Sequence, residues 1–194
     1  MKKKKLFQTR SDYYPFDIRK YITVKNVLIL LLLIFLYLLF PKYMQVIILM
    51  MIFYPISVVT ARITKYMRGF HIETMTSFTL FLGYVYGWRW ALLFGLGLGS
   101  YIWSQAGINQ KTLLTILITG LCAFLGYWVQ PISNFFWAYI LASSIRNIIS
   151  FVLFLFVNPD IFNNITHTVN DFIWHTLIMS NIVNAIYKII LWLT

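Results

Sequence analysis

An arginine stands in the middle of an apolar run, and no other feature constrains this chain as much. The run extends from Phe135 to Val157, with Arg146 near its centre. About 20 helical residues at ~1.5 Å each cover the ~30 Å of hydrocarbon in a bilayer, so the run is long enough to span one. A guanidinium at that depth costs roughly 2.5–3.5 kcal/mol on insertion scales. It must therefore face the inside of a helix bundle or a wet cavity.

The composition agrees. Of the 194 residues, 60% are hydrophobic and 11% are charged. Soluble domains carry about 25% charged residues, so this chain has too few to cover a water-facing surface. The expected fold is all-α: a polytopic transmembrane helix bundle of six or seven helices. Apolar runs fall at 26–40, 43–60, 72–87, 90–104, 112–130, 135–157 and 172–193. Helix-breaking punctuation separates them, at Pro41-Lys42, Gly87-Trp88-Arg89, Pro131 and Asn158-Pro159-Asp160. Runs 26–40 and 90–104 would each make only ~22 Å of helix. The first two runs read equally as a hairpin or as one long kinked element.

The net charge is +11, and its distribution matters more than its sum. Eight of the sixteen basic residues precede the first apolar run: Lys2, Lys3, Lys4, Lys5, Arg10, Arg19, Lys20 and Lys25. Beside a membrane span, such an arm indicates a cytoplasmic terminus and attraction to anionic lipid rather than nucleic-acid binding. The expected organisation is a basic cytoplasmic arm, 1–25, and one transmembrane domain, 26–194, in a multi-pass protein of the cell membrane. Phe40-Pro41-Lys42 is no small-residue cleavage site, so the first run reads as a retained span. Charge also tests topology. Arg62, Lys65 and Arg68 favour the cytoplasm for 61–71, while Asp160 and Asp171 favour the outside for 158–171. Seven full crossings would put both segments on one side; six crossings relieve the conflict.

Ser143, Arg146, Asn147 and Ser150 fall at i, i+3, i+4 and i+7, which places them on one helical face. Two readings stay open. The stripe is interhelical glue with Arg146 paired to a carboxylate, or it lines a cavity where Arg146 grips an anion through two bonds. Glu73 opens a helix, where a carboxylate complements the positive end of the dipole; pairing with Arg146 is the alternative. Asp171 and His175 are one turn apart. Two ligands are too few to indicate a metal, and an interfacial hydrogen-bonded pair is the plainer reading. The single cysteine, Cys122, reads as packing. HExxH, GxSxG and a Cys–His–acid set are all missing from the sequence, so neither an enzyme nor a cofactor is expected.

Gly83 and Gly87 are four apart, as are Gly95 and Gly99, a spacing that lets helix backbones approach closely. The surrounding sequence, Phe81-Leu82-Gly83-Tyr84-Val85-Tyr86-Gly87, then Trp88-Arg89-Trp90, then Gly95, Gly97 and Gly99, resembles the second and third helices of S-components. These are the substrate-binding membrane subunits of energy-coupling factor transporters. Asn181-Ile182-Val183-Asn184 is similar to the last helix of that family. The chain also resembles the MreD-like family of membrane scaffolds in size, helix number and glycine use.

The S-component resemblance implies a substrate-capture subunit for a small, anionic or amphipathic nutrient. Arg146 would hold the anion. Ser143, Asn147 and Asn184 would add hydrogen bonds, and Trp137 and Trp174 would stack. Energy would come from a partner ATPase with other membrane subunits, all within the lipid bilayer. The scaffold resemblance implies a non-catalytic assembly subunit. A polar cavity around Arg146 would favour capture; a carboxylate cap in a dry core would favour the scaffold.

Overall fold

The structure is a computed structural model that describes residues 24–66, 72–105, 108–157 and 160–193. The eight basic residues expected in the N-terminal arm fall outside these, apart from the backbone of Lys25, as do Arg68 and His71. The regular structure of the described residues is all helix, without strands. Seven helices follow one another: α1 Val24–Leu39, α2 Pro41–Tyr66, α3 Met75–Tyr86, α4 88–104, α5 Gln110–Trp128, α6 Phe135–Val157 and α7 161–193. Three stretches are long and apolar enough to cross a membrane: Pro41–Thr64, Gln110–Trp128 and Phe135–Val157.

The chain divides into two compact units, 1–45 and 46–194. In the first, α1 is apolar on every side. Helical hydrogen bonds run through its end, from Phe40 N–H to the Leu36 carbonyl (2.9 Å) and from Met44 N–H to the Phe40 carbonyl (3.0 Å). Pro41 lacks an N–H but fits the first turn of α2, so the break there is slight.

The second unit is built on α3, whose first nine residues are all buried. Its ring stack sets one side: Phe53 of α2 lies flat on Phe78 at 3.9 Å and edge-on to Phe81 and Phe94. On the other side α3 meets α5 backbone to backbone. A Cβ on Gly83 would stand 2.6 Å from the Ala123 carbonyl oxygen, and one on Gly126 would overlap the Leu80 carbonyl. Gly95 is equally confined, with Thr79 at 2.8 Å and the Thr119 carbonyl oxygen at 3.2 Å. A Cβ on Gly99 would press only on side chains, the flexible end of Met75 at 3.0 Å and the Thr119 methyl at 3.7 Å. Gly87 differs from the packing role its spacing suggests. A Cβ there would meet nothing within 4 Å, and the residue is needed for its φ of 94°, which ends α3 and starts α4.

Two helices carry a wide π-type turn, at Leu93–Leu98 in α4 and Trp174–Met179 in α7. The extra residue shifts the buried face. In α7 that face runs through Asp171 and His175, then Met179, Ser180 and Val183, while Ile178 and Ile182 point outward. Starts of helices carry side-chain caps. Asn109 accepts from Thr112 N–H at 2.8 Å, and Asp160 from Asn163 N–H at 3.1 Å. At the Gly87 end of the unit, Tyr84 and Tyr187 close on Phe135, and the Tyr84 hydroxyl donates to the Ile132 carbonyl.

The α3–α5 contact predicts a ranking. Gly126→Leu is expected to destabilise the protein by about 3 kcal/mol, because backbone atoms cannot move aside, and Gly99→Leu by about 1 kcal/mol, because Met75 can. Detergent-denaturation curves of the two variants check this. Equal losses would show that the two sites are equally tight.

Candidate functional site

Arg146 is the twelfth of the 23 residues of α6, and it is buried. Its guanidinium donates from Nη1 to the Asp171 carboxylate and to Asn147 Oδ1 at 2.6 Å. Its Nη2 lies 3.7 Å from Glu73 Oε2. The guanidinium is thus neutralised by carboxylates of the chain itself, with Nη1 hydrogen-bonded and Nη2 in ion-pair range, while the buried Nε has no hydrogen-bond partner among the described residues. Coulomb attraction across a few ångströms of apolar protein is far stronger than in water, which is how a buried guanidinium becomes tolerable.

Glu73 has a second task. It stands just before α3, where helix N–H groups lack intrahelical partners. Its Oε1 accepts from Thr76 N–H at 2.8 Å, and its Oε2 from the Thr76 hydroxyl. The two readings of Glu73, dipole partner and Arg146 partner, describe one side chain doing both.

His175 lies between the two carboxylates, with Nε2 3.7 Å from Asp171 Oδ1 and 3.8 Å from Glu73 Oε2. Its Nδ1 is 2.7 Å from Ser77 Oγ, which is also 2.7 Å from the Tyr139 hydroxyl. The result is a buried chain of polar groups from Tyr139 through Ser77 and His175 to Asp171, Glu73 and Arg146. It joins α3, α6 and α7. Among the described residues, no group of three or more His, Cys, Asp or Glu side chains is arranged to hold a metal ion.

The cluster also surrounds irregular backbone. Residues 72–74 are not helical, yet they sit at the level of Arg146, the midpoint of α6. Inside an apolar layer such backbone needs partners from the protein. Thr64 Oγ1 donates to the Ile72 carbonyl at 2.5 Å and accepts from Ile72 N–H at 3.0 Å. Trp174 Nε1 donates to the Glu73 carbonyl at 2.9 Å. The Thr74 carbonyl accepts from Phe78 N–H, and the Thr74 hydroxyl reaches Thr60 and Ser57 on α2.

The residues expected to bind a substrate fall into two groups. Ser143, Arg146, Asn147 and Ser150 are all buried on the inner face of α6; Ser143 spends its hydroxyl on the Ile140 carbonyl. Trp174 reaches the cluster, but through its N–H rather than its ring face. Asn184 is half-buried and nine residues beyond His175, ~13 Å further along α7. Trp137 is 61% exposed at the opening of α6. The structure does not bring these two to Arg146.

Asp171, which the sequence puts at the end of the polar segment 158–171 and one turn before His175 on the last helix, lies inside α7, three residues before its π-type turn, and is paired with Arg146. Ser77 and Tyr139 carried no site assignment. Spacing could have flagged both: Ser77 is one turn after Glu73, and Tyr139 is one turn before Ser143 on the same face. Comparison with family models, curated proteins and solved structures finds no match to this chain.

Removing one member of a buried charged group strands the others. Arg146→Leu is therefore expected to cost ~3–5 kcal/mol of stability, a loss of the size seen when buried pairs are broken. The triple variant Arg146→Leu, Asp171→Leu, Glu73→Gln is expected to recover most of it, since Gln can still cap α3. Unfolding curves in detergent check both. A parent-like curve for the single variant would remove Arg146 as a strut.

Proposed function

We propose that this chain is a non-catalytic integral membrane subunit, a scaffold or assembly component that works through its outer surface. The observation carrying this reading is the occupation of Arg146 by Asp171, Asn147 and Glu73. A capture site needs its guanidinium available for the ligand's anion. Here the carboxylates that neutralise it belong to the chain. The neighbouring Trp174 N–H is committed to backbone. The cluster is a strut that fixes how α3, α6 and α7 meet, and it leaves the helix exteriors to engage lipid and partner subunits. The likeness to MreD-like scaffolds fits this better than the likeness to S-components, which would require a nutrient and a partner ATPase.

In this reading the helices cross the cell membrane as a polytopic bundle. α2, α5 and α6 cross fully, and α4 and α7 run beside them. α3 has 12 residues, ~18 Å of helix, and begins at mid-depth, so it supplies only half a crossing. The basic N-terminal arm lies in the cytoplasm. Labelling tests the last point with little background, because the lone cysteine, Cys122, is buried. A Cys introduced for Ser11 should resist a membrane-impermeant thiol reagent in intact cells and react after lysis. Reaction from outside would reverse the orientation.

The functional test uses the neutralised triple variant. A scaffold keeps its shape once the buried charges are replaced together, so the variant should retain the same cross-linked membrane-protein partners as the parent. A capture subunit behaves oppositely. Parent protein purified with a tightly held anionic metabolite, absent from the variant, would overturn the scaffold reading in favour of capture.

A further inference from the structure

Two cavities lie along α6 and the first half of α7; the first also borders α5 through Lys111, and the second reaches Asn147, the partner of Arg146. The first is small and polar, about 90 Å³, lined by Lys111, Asn163, Asn164, His167, Thr168 and Phe154. The second is an apolar groove of about 300 Å³. Ser144, Asn147, Ile148 and Phe151 of α6 form one wall, and Thr168, Val169 and Phe172 of α7 form the other. Thr168 lines both, so the two spaces adjoin.

We propose that together they form a binding site for one anionic phospholipid, with the phosphate in the polar cavity and an acyl chain in the groove. Depth supports this. Phe154 is eight residues past Arg146, ~12 Å from the middle of α6 and close to where hydrocarbon gives way to headgroups. The groove then runs inward from Phe151 to Ser144, ~10 Å along the helix, as an acyl chain does. Charge supports it as well. Lys111 forms no ion pair among the described residues, and its ammonium borders the polar cavity. Beside it, Asn163 and Thr168 carry groups of a kind that donates to phosphate oxygens, and Asn164 and His167 complete the lining. The Asp160 carboxylate, which would repel a phosphate, is turned to the N–H of Asn163. Phe156 and Phe162, 84% and 82% exposed, project apolar surface from the same end of the two helices. A free anion would need the polar cavity alone; the adjoining groove is what selects an amphiphile.

The test adds lipid to delipidated full-length protein in detergent and reads binding by native mass spectrometry and thermal shift. The probes are phosphatidylglycerol, phosphatidylcholine with the same chains, and inorganic phosphate. Phosphatidylglycerol should bind and stabilise the parent more than phosphatidylcholine, and inorganic phosphate should do neither. Lys111→Gln should weaken phosphatidylglycerol about fivefold, the effect of one cation near an anionic headgroup, and leave phosphatidylcholine unchanged. Val169→Trp fills the groove and should weaken both lipids about tenfold, equivalent to roughly two buried methylenes. Should Val169→Trp fail to fold, Lys111→Gln decides alone, because its side chain is at the surface. Equal binding of the two lipids by the parent, or unchanged phosphatidylglycerol binding by Lys111→Gln, overturns the proposal. So does stabilisation by inorganic phosphate equal to that by the lipid, which would show a site for free anions.

Discussion

A guanidinium cannot sit alone in an apolar interior, and the second unit of this chain is arranged around that fact. Arg146 needs negative charge within a few ångströms. Asp171 comes from α7 and Glu73 from the start of α3, so the requirement of one side chain fixes the relative placement of three helices. Ion pairs of this kind are weak sources of net stability, because desolvation opposes the attraction. Their strength is in discrimination. Any slip of α7 along α6 by one residue would turn Asp171 away and strand Arg146. The apolar contacts around the cluster are shared by many alternative registers; the ionic contact is satisfied by one.

The same requirement explains why α3 can begin in mid-layer. Peptide groups of Ile72, Glu73 and Thr74 would be costly there without partners. Thr64 and Trp174 meet that need from α2 and α7, and Phe78 N–H from within α3, while Glu73 caps α3 and faces Arg146. Electrostatics and backbone hydrogen bonding thus converge on a single point of the chain. The π-type turn in α7 follows from it too. Asp171 and His175 must face the cluster, and Met179 and Val183 must face the core below. An uninterrupted 3.6-residue period would carry the inner face to Ile178 and Ile182 instead.

Much of the helix layout was legible because burial in lipid or protein leaves long apolar runs. The run 135–157 is α6 itself, and 26–40 and 112–130 lie within two residues of α1 and α5 at each end. The inner stripe of α6 was legible for the same reason, since a charge in an apolar run has only one side to face. What escaped was information carried between helices. Asp171 reads as a helix-end partner of His175, because nothing local reveals that Arg146 lies across from it. α7 begins eleven residues before its apolar run, since its first turns are amphipathic rather than apolar. Gly87 and Gly83 share a spacing, yet one serves a backbone angle and the other a helix crossing. Gly126, the tightest partner in that crossing, belongs to no spaced pair in its own helix and gave no signal.

The division between interior and surface also decides which residues are open to function. Side chains committed to holding α3 in place cannot be released for a ligand without exposing charge, so the polar interior and a working site compete for the same atoms. Arg146, Glu73 and Asp171 are on the structural side of that competition. Lys111, Asn163 and Thr168 are not: they line a cavity toward the C-terminal end of α6. A chain with only five acidic residues places two of them beside Arg146. That leaves Lys111, exposed beside the polar cavity, without a carboxylate partner among the described residues.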